Sequence, residues 1–140
     1  MKGVKPYISF DGKCKEAMMF YKEALGGEIA GLLSYGDSGQ GSEADKDKIM
    51  HSVLKIGDTV IMAADDCSGK PVDIGGNISL AIGVDDVDTT EQMFAKMSEG
   101  ATITMPLAET FWAARFGMLK DKFGVHWMFN CEKPHGENAA

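Results

Sequence analysis

Residues 8–29, "ISFDGKCKEAMMFYKEALGGEI", align without a gap with residues 82–103, "IGVDDVDTTEQMFAKMSEGATI", at a constant offset of 74. A fixed offset of this kind indicates an internal repeat, in which each copy forms the same supersecondary unit. The identical positions include apolar, charged and glycine residues: Ile8 and Ile82, Asp11 and Asp85, Met19 and Met93, Phe20 and Phe94, Lys22 and Lys96, Gly26 and Gly100, Ile29 and Ile103. The chain therefore contains two copies of one unit, and this repeat decides the fold.

Each copy begins with the pattern of a strand and continues with that of a helix. In the first copy, Ile8 and Phe10 alternate with Tyr7 and Ser9, as in a strand that is apolar on one face. Apolar residues then recur at helical spacing over residues 14–25. The second copy repeats both patterns, so a strand followed by a helix is predicted in each.

The limits of the helices are also marked in the sequence. Asp88 and Glu91 resemble a capping box, which predicts that the second helix begins beside them. Gly26 and Gly100 follow the last apolar positions of the two helices and predict where the helices end.

Three further strand patterns follow each helix. They lie at about 28–35, 48–56 and 59–64 in the first copy and at about 101–105, 111–119 and 125–130 in the second. The predicted order is βαβββ twice, which is an α+β fold class. We expect one domain over residues 1–140, with module one at about 4–66, module two at about 76–132 and a tail at 133–140 that contains His135.

Composition restricts the partners and the location of the protein. The chain has 21 acidic and 14 basic side chains and a net charge of -7, which disfavours nucleic acid. No apolar run approaches the length of about 18 residues that a membrane span needs, and the N-terminus lacks the apolar segment of an export signal. Cys14, Cys67 and Cys131 show no CxxC spacing. We therefore expect a cytoplasmic protein with reduced thiols and no membrane partner.

Two stretches resemble a known family: "FYKEALGGEI" at residues 20–29 and "TFWAARFGMLKDKFGVHWMFN" at residues 110–130. With the paired βαβββ units, they resemble the PhnB-like branch of the glyoxalase, bleomycin-resistance and extradiol dioxygenase group, the vicinal oxygen chelate superfamily. The resemblance spans residues 4–132. It implies that the modules form half-open β-barrel cups with the helices outside, and that two chains pair as a homodimer. Function varies widely on this fold.

The resemblance also implies a divalent metal held by His or Glu side chains in the cup. The four positions that match those ligands hold Lys5, Ser79, Met128 and either Ile61 or Met62. None of these side chains is a usual ligand for a hard divalent ion. We therefore expect no metal in the usual site. An alternative site would combine His51 and His126 with a carboxylate such as Asp65.

Other cofactors and catalytic motifs lack their minimal sequence elements. The chain has no GxSxG elbow, no phosphate-binding glycine loop and no HExxH. Some relatives in this branch carry a label that likens them to a ubiquinone-pathway methyltransferase. The sequence has no glycine-rich turn between a strand and a helix followed by an acidic residue, which a nucleoside cofactor needs. We therefore expect no cofactor.

The stretch at 110–129 supplies most of the candidate ligand-binding residues. Core packing accounts for its apolar side chains: Phe111, Phe116, Met118, Phe123 and Trp127. Core packing does not account for the side chains with polar ends, which are Thr110, Trp112, Arg115 and His126. Tyr7 and His51 lie on other strands, at positions expected to face the cup, and complete the candidate set. A regular strand would place Trp112 and Arg115 on opposite faces of the sheet, so both line one pocket only if a bulge lies between them.

Three functions remain open. The leading hypothesis is a protein that binds an unidentified small molecule in an aromatic-lined cup without the usual metal. The alternative is a metal-dependent lyase, isomerase or dioxygenase with a non-standard site near His51 and His126. The third is a non-catalytic structural or protein-binding module, whose cup would be filled by Met62, Trp112 and Met128.

Overall fold

The computed structural model describes residues 1–134. The chain divides into two compact units, of which the first ends at Asp73 and the second begins at Ile74. Each unit contains one copy of the sequence repeat. None of the helices in residues 1–134 could span a lipid bilayer. Most of the expected tail, including His135, lies outside the described residues.

The first unit has the predicted βαβββ order. Its elements are β1 (Tyr7–Phe10), α1 (Cys14–Leu25), β2 (Glu28–Ser34), β3 (Ile49–Ile56) and β4 (Thr59–Asp65). The strands form one sheet in the order β1-β4-β3-β2. Strand β1 pairs in parallel with β4, and the other pairs are antiparallel.

The second unit repeats this topology. Its elements are β5 (Leu80–Val84), α2 (Val87–Met97), β6 (Thr102–Ala108), β7 (Ala113–Lys120) and β8 (His126–Glu132). The sheet order is β5-β8-β7-β6, with β5 and β8 parallel. Both sheets are four-stranded, mixed and open, which confirms the predicted α+β fold class.

The helix limits agree with the sequence at α1 and differ at α2. Gly26 adopts the left-handed conformation with φ of 74° and its N–H donates to the carbonyl oxygen of Lys22, which ends α1. The N-cap of α2 is Asp86, whose carboxylate accepts from the backbone N–H of Thr89 at 2.8 Å. This bond lowers the pKa of Asp86. The predicted capping box is therefore wrong, because Asp88 already lies inside the first turn.

Each helix covers one face of its own sheet. In the first unit, Cys14, Met18 and Tyr21 on α1 are fully buried, as is Leu54 on β3. In the second, Phe94 on α2 meets Phe129 on β8 edge to face at 5.5 Å between ring centroids. These helix-side residues form the core of each unit, and the opposite face of each sheet is called here the open face.

Register and burial identify the side chains of the open faces. In the first unit they are Tyr7, Ser9, His51, Val53, Met62 and Ala64. In the second they are Ala81, Gly83, Phe116, Met118, Lys120, His126, Met128 and Asn130.

Candidate ligand-binding site

Tyr7 and His51 lie close together on the open face of the first unit. Tyr7 begins β1 and pairs in register with Met62, whereas His51 lies on β3 beside Leu33 of β2. The two rings are tilted by 34° with centroids 6.3 Å apart. Both residues are exposed. An imidazole and a phenol in this arrangement offer a ligand two hydrogen-bonding groups and two ring faces.

Three aromatic rings form a cluster in the second unit, called here the aromatic cluster: Phe111, Trp112 and Phe116. The rings of Phe111 and Trp112 are 4.9 Å apart, and those of Trp112 and Phe116 are 5.5 Å apart, both edge to face. Trp112 is 42 % exposed. The expected core position of Phe111 is wrong, since it is 85 % exposed. It lies in the bend before β7, not in the strand.

The other tryptophan of this stretch belongs to the core. Trp127 is 1 % exposed, and its Nε1–H donates to Oδ2 of Asp121 at 2.8 Å. The second oxygen of Asp121 accepts from the backbone N–H groups of Phe123 and Val125 at 2.8 and 3.0 Å. This carboxylate holds the β7–β8 turn in place. No local pattern marks this role, because Asp121 lies in an ordinary charged turn.

Arg115 lies away from the aromatic cluster. A register shift separates Ala113 from Arg115, and Arg115 pairs with Cys131, whose side chain is on the helix side. Its guanidinium is 3.6 Å from the carboxylate of Glu91 on α2 and also donates to the carbonyl oxygen of Ala114. The structure therefore gives Arg115 a helix-side ion pair, and a ligand-binding role for it stays a prediction.

Thr110 and His126 have different surroundings. The hydroxyl oxygen of Thr110 accepts from the backbone N–H of Ala113 at 3.0 Å, which fixes the turn before β7. His126 is half-buried on β8 and pairs in register with Lys120. His126 thus shares the open face with Phe116, whereas Thr110 supports the segment that carries Trp112.

Asp65, the carboxylate considered for an alternative metal site, already accepts a hydrogen bond at each of its two oxygens. Asp65 is 2 % exposed, and its two oxygens accept from the backbone N–H groups of Cys14 and Ile49, each at 2.9 Å. Within the described chain, no three His, Cys, Asp or Glu side chains are grouped so that they would hold a metal ion. The donors present therefore do not fit the divalent ion that the superfamily implies, and no chemical step is assigned to one.

Cys14 is a structural thiol next to Asp65. Its sulfur lies 3.4 Å from the hydroxyl of Ser52, which donates to the carbonyl oxygen of Ala63 at 2.7 Å. Burial is the main cause that raises the pKa of the thiol to about 11. Cys14 therefore stays neutral at physiological pH and is a poor nucleophile.

A polar cavity of about 280 Å³ lies at the ends of β1 and β4 in the first unit. Charged side chains and Cys67 line much of it: Asp11, Asp45, Lys48, Asp66 and Lys70. The ammonium of Lys48 is 2.9 Å from the carboxylate of Asp45, so part of this charge is already paired. The cavity is lined by residues that follow β1 and β4 and by the segment that precedes β3.

Comparison with known proteins places these features in a family. The family model described as 3-demethylubiquinone-9 3-methyltransferase matches residues 2–129. Protein PA1353 from Pseudomonas aeruginosa is 40 % identical, with a TM-score of 0.88 over 96 % of this chain and 100 % of that chain. A PhnB protein from Bacillus cereus is 24 % identical, with a TM-score of 0.80 over 93 % and 99 % of the two chains.

A more distant structure shares the fold alone. The fosfomycin resistance protein FosX from Listeria monocytogenes has a TM-score of 0.64 at 10 % identity, covering 99 % of this chain and 98 % of that chain. The resemblance to the PhnB-like branch and its superfamily, which the sequence indicated, is confirmed.

Proposed function

Because the chain belongs to the family described as 3-demethylubiquinone-9 3-methyltransferase, with the glyoxalase fold, we propose that it binds a small molecule on an open, aromatic-lined sheet face. Binding needs no metal in the superfamily's usual site. We assign binding to Tyr7 and His51 on the open face of the first unit, and to His126 on the open face of the second unit together with Trp112, whose ring meets that of Phe116.

The exposure of the aromatic cluster is the observation that carries this proposal. Phe111 and Trp112 expose 85 % and 42 % of their surface and are in ring contact with each other. Adjacent aromatic side chains that remain exposed typically mark a binding surface, because covering them with a ligand removes apolar area from water. Polar groups beside such a surface give the ligand its orientation.

Methyl transfer, which the family description names, does not fit this fold's local structure. A nucleoside cofactor binds at a glycine-rich turn between a strand and a helix in a parallel sheet. Here the turn between β1 and α1 is Asp11, Gly12 and Lys13, and among the strands of residues 1–134 β1 has one neighbour, β4. We therefore assign no methyl-transfer step to this chain.

The metal-dependent lyase, isomerase or dioxygenase is the alternative function. It needs a carboxylate beside the histidines, and Asp65 is occupied by two backbone N–H groups. For this reason small-molecule binding without the usual metal is the function we prefer.

Two substitutions test the assignment of the open-face residues. We expect Trp112→Ala and His51→Ala to weaken ligand affinity about tenfold or more, each by removing one contact, while the protein stays folded. Calorimetric titration with the first compound found to bind gives the affinity, and urea unfolding gives the stability. A loss of about 3–5 kcal/mol in Trp112→Ala would assign this residue to the core instead. Unchanged affinity in His51→Ala would make His51 a structural residue.

We also propose a cytoplasmic homodimer that has neither nucleic acid nor membrane as a partner. The net charge of -7 supports the exclusion of nucleic acid. Strands β2 and β6 lie at sheet edges, where a second copy covers unpaired backbone groups. Light scattering at tens of micromolar is expected to give the mass of two chains, and the mass of one chain would contradict the proposal.

A further inference from the structure

Asn130 carries a buried polar atom that the fold does not explain. Its Oδ1 is buried and has no hydrogen-bond partner, and it is the one such side-chain nitrogen or oxygen found among residues 1–134. Leaving a buried acceptor unpaired costs stability, and native proteins retain few such groups. Such a group needs an explanation, and a hydrogen-bond donor supplied from outside the folded chain is one.

The internal repeat shows that this strand position does not need an amide. Gly83 on β5 pairs in register with Asn130 on β8. The offset of 74 relates Gly83 to Ser9, and Ser9 pairs in register with Ala64. The first unit therefore has an alanine where the second has Asn130, in the same sheet topology. The amide therefore serves a purpose that is specific to the second unit.

The surroundings of Asn130 differ on its two sides. Toward β5, no described atom beyond Gly83 and its two chain neighbours lies within 4 Å of the position that a Cβ would occupy on Gly83, and Gly83 is exposed. Toward β7, Asn130 pairs in register with Phe116, whose ring meets that of Trp112. Asn130 thus lies between the open space at Gly83 and the ring of Phe116. The terminal torsion of an asparagine is broad, so its oxygen can turn toward the open side.

We propose that Gly83, Phe116 and Asn130 form a subsite for a flat aromatic group that carries an N–H or O–H donor. The ring lies against Phe116, and the donor binds Oδ1 of Asn130 in the space left by the absent side chain of Gly83. This inference rests on the proposed function, and it names the class of ligand. Among the residues of the subsite none is charged, so an uncharged ring system fits it.

Indole and benzofuran provide a matched pair of probes, since they have nearly the same shape and only indole has an N–H donor. Affinities are measured by ligand-observed NMR titration of the full chain. We expect indole to bind the wild type about tenfold more tightly than benzofuran, because only indole satisfies Oδ1. In Asn130→Leu the two probes are expected to bind equally. Gly83→Ala, whose added methyl meets no described atom beyond its chain neighbours, is expected to weaken both while the chain stays folded.

The thermal stability of Asn130→Leu is a second readout, which distinguishes a ligand-binding role of Asn130 from a purely structural one. Without any probe, Asn130→Leu is expected to raise Tm, because an apolar side chain removes the unpaired acceptor. A lower Tm in this variant would overturn the inference. Equal binding of indole and benzofuran to the wild type would overturn it too, while the proposed function stands. Binding of neither probe to the wild type would overturn the subsite but leave the proposed function standing, since that function allows a ligand of another chemical class.

Discussion

The Asp65→Ala variant is expected to lose about 3–5 kcal/mol of its free energy of unfolding. Asp65 ends β4, and its carboxylate accepts from the first backbone N–H of α1, at Cys14, and from the first backbone N–H of β3, at Ile49. With alanine, both donors stay buried without these acceptors. Such donors cost much more than the loss of an exposed ion pair, because water does not replace the missing partner.

Urea unfolding followed by circular dichroism measures this loss, and Asp58→Ala is the matched control. Asp58 is exposed in the turn between β3 and β4, so its removal is expected to leave the free energy of unfolding unchanged. If Asp65→Ala were as stable as the wild type, the carboxylate would not be a structural acceptor. It would then again be available to a ligand or a metal ion.

The Asp121→Ala variant is expected to lose a similar amount, about 3–5 kcal/mol. Asp121 is 4 % exposed and accepts from two backbone N–H groups of its own turn and from Nε1 of Trp127. Asp121→Asn keeps the shape but cannot accept from all three donors, because its amide nitrogen is itself a donor. We therefore expect its stability to lie between those of Asp121→Ala and the wild type.

A double-mutant cycle with Trp127→Phe isolates the contact between the carboxylate and the indole. Phenylalanine has no N–H, so Asp121→Ala should cost less in the Trp127→Phe background than in the wild type. Urea unfolding of the four proteins gives the coupling free energy. Additive losses would show that the bond from Nε1 to Asp121 contributes nothing to stability.

The repeat made most of the fold predictable. The alternation at Ile8 and Phe10 and the helical spacing over residues 14–25 are local patterns, and they survive in the structure as β1 and α1. The ends of strands depend on tertiary contacts, which local patterns do not show. The sequence pattern predicts that residues 111 and 112 belong to a strand, but they form a bend that exposes Phe111.

The candidate site was less predictable because its geometry depends on pairing between strands. The shift in pairing after Ala113 directs Arg115 to the helix side, and no local pattern marks it. Asp65 is separated by 51 residues from one of its donors, so its structural role cannot be derived from neighbouring residues. Asn130 is one polar residue in an alternating strand, and only its missing partner distinguishes it.

Thermal unfolding of the tag-free protein, screened against metal ions and small organic compounds, tests the central claim most directly. The compounds are small aromatics, phosphonates and thiols, and the ions are Ni²⁺, Zn²⁺, Mn²⁺ and Fe²⁺. A compound that binds only the native state, present at a free concentration of a hundred times its Kd, stabilises the protein by about 2.7 kcal/mol and therefore raises Tm. We expect at least one organic compound to raise Tm and metal analysis to find well under one ion per chain. One tightly held ion per chain, with no response to any organic compound, would contradict the account and favour the metal-dependent enzyme.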